Sequence, residues 1–382
     1  MIDPSGFTLP YDYYLCDNLA KLHHEITFYT RTFNQTDELF IANNFRVKNI
    51  YYLKSENIRK KLDNKSLHAA IKAVDHWQSS KALASETTLS RPDIIHFQWL
   101  PAPLIDNMYL HKLKTIAPLV LTVHDTNPFH GSPTSKLQLL KWPKVIELFD
   151  AVIVHTNYSK QNLIEKNIAN KRIYIIPHGM FDYSINQNNK GHSKAHTNQK
   201  GKSILFFGTI KHYKGLDVLL KAYAKLPAPL KQTCRLTVAG LPKMDIKLLY
   251  DLADKLGIND INWKLGFIPY QEVAMLFKSA DIVVFPYREI DASGALMTAL
   301  PFEKPIIASR VGGFPECITD SRHGYLVPPE NEQALAEAIE RILSNPWIYD
   351  NMIENIKQLK ATYPGWDSIA KMTIDVYEKC LR

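Results

Sequence analysis

Cysteine is sparse in this chain: Cys16, Cys234, Cys317 and Cys380 are the four in 382 residues, far apart from one another. None stands in a Cys-x-x-Cys pair or at a zinc-like spacing from histidine, which argues against a disulfide framework and a zinc module. Buried free thiols in a reducing cytosol are the expectation. Long apolar runs are missing too; nothing approaches the ~20 residues a bilayer-spanning helix needs. The opening Met1-Ile2-Asp3-Pro4-Ser5-Gly6 has neither a basic nor an apolar region, so no secretory signal is read. No Asp-x-Asp pair stands in a loop where a divalent ion would bridge phosphates.

Positive charge is in excess, at +8 overall. There is no stripe of arginine and aromatic residues and no nucleic-acid motif, so nucleic acid is not the expected partner. The densest basic segment runs from Lys54 to Lys72, with Arg59, Lys60, Lys61 and Lys65 among Ile58, Leu62, Leu67, Ala70 and Ile71. It reads either as a basic amphipathic helix for an anionic membrane surface or as a solvated helix with its stripe turned inward. A hydrophobic fraction of 46% with 22% charge describes a globular protein long enough for two domains.

Apolar runs alternate with helical patterns throughout. A helix over Tyr13–Leu22 is followed by a strand at Glu25–Thr30. Asp93–Trp99, Leu119–Asp125, Asp150–His155 and Arg172–Gly179 read as further strands of a doubly wound parallel sheet. Residues 184–201 turn to Asn, Gln, Lys, His and Ser without periodicity, which marks an interdomain linker. The expected division is an N-terminal domain over 1–183, this linker, a C-terminal domain over 202–363, and a final helix in 364–382 with Asp367 as its N-cap.

The second half carries the chemistry. Ile204-Leu205-Phe206-Phe207 reads as a strand ending at Gly208, and a helix with Leu216, Leu219, Leu220 and Tyr223 on one face follows Gly215. Between them lie Thr209, Lys211 and Lys214. Glycine lets the backbone approach a ligand, and two lysines there can neutralise a polyphosphate. A second turn, Tyr287 to Leu300, sets Ser293-Gly294-Ala295 before a helix whose free amides favour an anion. Two such turns in one parallel-sheet domain suggest a nucleoside-diphosphate site. His124-Asp125 ends a buried strand on the edge where doubly wound sheets bind ligands; the alternative is a histidine that caps the next turn.

These blocks, with Leu236-Thr237-Val238-Ala239-Gly240, Ala280-Asp281-Ile282-Val283-Val284-Phe285-Pro286 and Gly312-Gly313-Phe314-Pro315-Glu316, resemble the retaining glycosyltransferase family 4 (group 1). Their order and spacing match over most of the chain. The resemblance implies an α/β GT-B fold: two doubly wound Rossmann-like domains facing a central cleft that closes on the donor, with the last helix returning to the N-terminal domain. It implies a cytoplasmic hexosyltransferase that uses a UDP- or GDP-linked sugar, with no cofactor or metal. A glycan or lipid-linked acceptor in surface polysaccharide or glycolipid synthesis would follow, with peripheral membrane contact as an option.

Residue by residue, Lys214 aided by Lys211 would clamp the leaving diphosphate, with the backbone of Gly208, Thr209, Ser293, Gly294 and Ala295. Phe267 and Ile268 would meet the base. His124 would lie near sugar and acceptor, with Asp125 beside it and Gly6 and Phe7 on the acceptor side.

The chain also departs from the family. Thr209 stands where an arginine is common. Ile290 and Thr298 stand where two glutamates commonly contact the donor sugar, with Glu289 and Asp291 flanking the first. Asp3-Pro4-Ser5-Gly6-Phe7 resembles the loop after a first strand and leaves almost no residues for that strand. Either the start lies upstream or the first sheet lacks a strand, and a truncated or misassigned start is the favoured reading. A non-catalytic GT-B partner module and a nucleotide-sugar epimerase or phosphorylase are the competing functions.

Overall fold

The computed structural model describes residues 1–33, 44–59, 64–127, 142–168, 172–183 and 201–382. They form two compact units, Met1–Gly179 with Pro364–Arg382, and Met180–Tyr363.

The first unit is built on a seven-stranded parallel sheet in the order β3-β2-β1-β4-β5-β6-β7. Its strands are β1 Ile2–Asp3, β2 Thr27–Arg31, β3 Arg46–Tyr51, β4 Ile95–Phe97, β5 Leu119–Thr122, β6 Ala151–Val154 and β7 Arg172–Ile175. β5 and β6 are buried along their whole length, as their unbroken apolar runs require. The expected gap at the start of this sheet is not there. Two residues suffice for β1, because Tyr29 donates to the Met1 carbonyl on one side and Gln98 to the Ile2 carbonyl on the other. β3 escaped the sequence reading because Arg46-Val47-Lys48-Asn49-Ile50-Tyr51 is a partly exposed edge with no apolar run.

The basic segment resolves into helices Leu53–Arg59 and Lys65–Ser90; residues 60–63 lie outside the described residues. The helix Trp366–Leu381 belongs to this unit and buries Ile369, Ala370, Thr373 and Val376. Its N-cap is Gly365, not Asp367, which sits one residue into the first turn, where its charge meets the helix dipole.

The second unit has a six-stranded parallel sheet in the order β10-β9-β8-β11-β12-β13. These are β8 Lys202–Phe207, β9 Cys234–Gly240, β10 Ile261–Leu265, β11 Ile282–Phe285, β12 Ile306–Ser309 and β13 Gly324–Val327. Leu216, Leu219 and Leu220 of the helix after the first turn pack in one core with Phe206, Val238 and Ile339. Met180–Tyr183 belong with this unit, and Phe181 donates its amide to the Met297 carbonyl. Apart from Gly201, the linker expected over 184–201 lies outside the described residues. No described helix is long and apolar enough to cross a membrane.

Candidate active site

Strand order reverses between β8 and β11, which makes their carboxyl ends the switch point where doubly wound sheets bind ligands. Both phosphate-type turns lie there. After β8 the chain passes Gly208 and Thr209, makes a single 3₁₀ turn over His212–Lys214, and enters the helix Leu216–Ala224. After β11 it passes Tyr287, Arg288 and Asp291 and enters the helix Gly294–Ala299.

The two loops lie backbone against backbone. Gly215 has φ +66°, and a Cβ on it would sit 1.9 Å from the Pro286 carbonyl oxygen, so no other residue fits. Gly312, in the loop after β12, is similarly forced by the Ile290 carbonyl, 1.5 Å from where its Cβ would be. A Cβ on Gly208 would lie 3.7 Å from that of Ala295, so the first turn adjoins the start of the second helix.

Lys214 is the notable side chain. It is buried, and its Nζ sits 3.9 Å from the centre of the Tyr287 ring and 5.4 Å from that of Tyr213. Among the described residues it has no carboxylate partner. Burial, then the charge of Lys211, pulls its pKa down to about 7. An ammonium held among ring faces without an anion is costly unless something negative arrives. Lys211 is partly buried, its Nζ 5.6 Å from the Tyr213 ring centre.

Ser293 is the N-cap of the second helix and accepts from the Leu296 amide, which leaves the Gly294 and Ala295 amides without a partner among the described residues. Thr298 is buried and donates its hydroxyl to the Gly294 carbonyl within its own helix. Asp291 is buried and its carbonyl accepts from the Gly313 amide, while Glu289 is exposed. Phe267, 46% exposed, and Ile268 lie in the turn after β10, which is tied to β9 where Gly266 donates to the Gly240 carbonyl.

Sequence reasoning missed Arg288. Its amide donates to the Tyr213 carbonyl and its guanidinium to the His212 carbonyl, to both oxygens of Asp217 and to Glu330. The available signal was a basic residue in the loop leaving the strand beside β8.

The other candidates lie on the carboxyl edge of the first unit's sheet. Asp3, at the end of β1, is buried and accepts from the amides of Ser5, Gly6 and Thr8, which shapes the loop bearing Gly6 and Phe7. Phe7, 63% exposed, meets the Trp99 ring edge-on, and Trp99 stacks on His124 at 5.4 Å. Asp125 accepts from the Asn127 amide.

His124, itself half-buried, joins a chain of rings with the buried His155 and His178. His155 Nδ1 lies 2.9 Å from the Ile176 carbonyl oxygen, so it carries the hydrogen; His155 Nε2 then accepts from His124 Nδ1 at 3.0 Å. Burial first, then the neighbouring histidines, keeps His124 well below the ordinary histidine range. On its other side, His124 Nε2 lies 2.9 Å from the Gln98 side-chain oxygen. Neither Gln98 nor His155 carries a recognisable motif; the fold alone brings them to His124.

Comparison with known proteins agrees with this architecture. Residues 188–359 match the family model for glycosyl transferases group 1, and residues 11–180 match that for glycosyltransferase family 4. An uncharacterised glycosyltransferase of Methanocaldococcus jannaschii is 25% identical over 272 residues, 68% of this chain and 69% of that one. A D-inositol 3-phosphate glycosyltransferase of Corynebacterium urealyticum is 26% identical over 73% of this chain and 68% of its own.

Among solved structures, sucrose-phosphate synthase of Thermosynechococcus elongatus superposes with a TM-score of 0.74 at 19% identity, covering 99% of this chain and 94% of the other. HepE of Anabaena, solved with UDP and glucose, gives 0.73 at 16% identity, covering 99% and 98%. With two parallel sheets wound as in these GT-B proteins and both family models matched in order, the chain belongs to the group 1, family 4 glycosyltransferases.

Proposed function

We propose that this glycosyltransferase moves a hexosyl unit, with retention, from a UDP- or GDP-linked sugar to a glycan or lipid-linked acceptor in surface polysaccharide or glycolipid synthesis. The observation that carries the donor assignment is Lys214, a buried cation without a carboxylate partner among the described residues, at the switch point of a parallel sheet. In this reading its ammonium and the Gly294 and Ala295 amides meet the charge that develops on the leaving diphosphate. Positive charge then comes from the protein, and neither metal nor cofactor is required.

The acceptor falls to the loops carrying Gly6, Phe7, His124 and Asp125. The acceptor hydroxyl attacks on the face the diphosphate leaves, and a diphosphate oxygen takes its proton, so no enzyme nucleophile is needed, unlike in retaining glycosidases. Ile290 and Thr298 supply no carboxylate to the sugar. Cytoplasmic action with peripheral membrane contact suits a lipid-linked acceptor. It is supported by the exposed Leu67, Val74 and Trp77 on the helix Lys65–Ser90, with Lys81 on the same stripe.

Thermal unfolding against nucleoside diphosphates and their sugars tests the donor assignment. A ligand at about a hundred times its dissociation constant stabilises by roughly 2.7 kcal/mol. The wild type is expected to respond to one base and Lys214→Ala to lose the response; equal responses from both proteins would remove Lys214 from the donor site. Product NMR then reads the anomeric configuration, and inversion would contradict the proposed mechanism. Sedimentation with phosphatidylserine vesicles, against phosphatidylcholine ones, checks the membrane contact.

A further inference from the structure

A 3₁₀ turn of three residues is a weak support for a buried charge, since its hydrogen bonds are few and poorly aligned. Within the turn His212–Lys214, Lys214 donates to the Lys211 carbonyl, and the following Gly215 donates to the His212 carbonyl. It is held from outside instead. Arg288 Nη1 donates to the His212 carbonyl at 2.7 Å, and the Arg288 amide donates to the Tyr213 carbonyl at 2.7 Å. On the far side of Lys214, Asp217 takes Nη1 at 3.0 Å and Nη2 at 2.7 Å in a two-pronged pair. Nε goes to Glu330 at 2.8 Å, a residue whose left-handed backbone, φ 57°, is uncommon outside glycine. One side chain thus grips the residues before and after Lys214 and ties them to the loop after β13.

We infer that Arg288 is a positioning residue of the donor clamp, acting through Asp217 and the His212 carbonyl on the turn that aims Lys214, without touching the donor itself. Two carboxylates already surround its charge, and each of its three guanidinium nitrogens already donates to a partner, so it is not a displaced copy of the arginine that is common at the position of Thr209. The inference rests on the proposed donor role of Lys214 for its functional meaning. Its structural content can be read without any nucleotide.

The first readout is the lysine spectrum of the reductively ¹³C-methylated protein, with Lys214→Ala to identify the signal. In the wild type the Lys214 signal is expected to titrate near 7, where burial and then the Lys211 charge place it. In Arg288→Ala and in Asp217→Asn it moves toward the ordinary lysine value of about 10.4 as the turn relaxes. If it stays where it is in both folded variants, the inference is overturned, whatever nucleotides do.

The second readout is calorimetric titration with UDP and with GDP. Arg288→Ala and Asp217→Asn are each expected to weaken the bound nucleotide by about tenfold to a hundredfold, the cost of a small misplacement. The double variant should be no weaker than the worse single, and Arg288→Lys should fall between wild type and alanine. Wild-type affinity in Arg288→Ala, or losses that multiply in the double variant, would instead make Arg288 irrelevant or a direct ligand and defeat the proposal. Should the wild type bind neither nucleotide while the lysine signal moves as expected, the donor assignment fails and the positioning of Lys214 stands. If Arg288→Ala does not fold, as judged by circular dichroism, Arg288→Lys and Asp217→Asn carry both readouts.

Discussion

At Lys214 the protein keeps a lysine whose charge is conditional. With a pKa of about 7, the side chain is cationic below that pH and increasingly neutral above it, whereas a nucleotide-sugar diphosphate keeps its charge throughout. Donor affinity should therefore fall as pH rises above about 7, approaching tenfold per unit if only the cation binds. Calorimetry between about pH 6 and pH 9 checks this, and a flat profile would show that the ammonium is not the ligand.

A second residue-scale prediction concerns Asp12, which is buried beside Asp3 and hydrogen-bonded to it. Burial, then the Asp3 charge, pushes Asp12 well above the usual carboxylate range. Its native pKa exceeds the unfolded one, so the native state holds a proton the unfolded state releases, and this contribution to stability declines as pH rises from about 4. Asp12→Asn keeps a donor toward Asp3 without that proton. It should raise the thermal midpoint near neutral pH and flatten its pH dependence; a lower midpoint there would mean Asp12 is needed as an anion.

Among the elements, the loops on the carboxyl side of β8, β11 and β12 behave as one interlocked piece. Gly215 and Gly312 bring backbones to distances that no side chain permits. Gly215→Ala would meet the Pro286 carbonyl as well as an unfavourable φ, and strain of this kind costs roughly 1–3 kcal/mol. Denaturant unfolding should show that loss, with donor affinity reduced beyond it because the same contact orients Lys214. A variant as stable as the parent would mean these loops shift easily, and would weaken the case for a preorganised clamp.

At the scale of the whole molecule, the chain's last helix contributes to the first unit, far from its neighbours in sequence. Tyr377 lies 2.7 Å from His96 Nδ1, and Trp366 stacks on Tyr14. A chain ending at Tyr363 loses the burial of Ile369 and Val376, about 1.5–3 kcal/mol for each apolar side chain. Hydrogen exchange should then show lost protection across residues 1–179, with the sheet of β8–β13 little changed. Equal loss in both units would mean that they do not unfold separately.

The strand-forming runs of β5, β6, β8 and β11, the two turns and the family were legible because each is local: apolar runs, glycines and lysines at fixed spacing, in a fixed order. Thr209, Ile290 and Thr298 were legible as departures for the same reason. Lys214 could be named from the sequence, but its burial between two tyrosine rings could not. Tyr287 reaches it from the loop after β11, more than seventy residues away. Arg288, Gln98 and His155 were invisible because each works through a partner remote in sequence, and nothing local distinguishes them from surface or core residues. β1 was underestimated because two residues carry no periodicity; its identity as a strand comes from neighbours on both sides. Local chemistry along the chain determined which residues could serve a diphosphate. Pairing across distant strands decided which groups hold them in place, because hydrogen bonds and burial depend on position in space rather than in sequence.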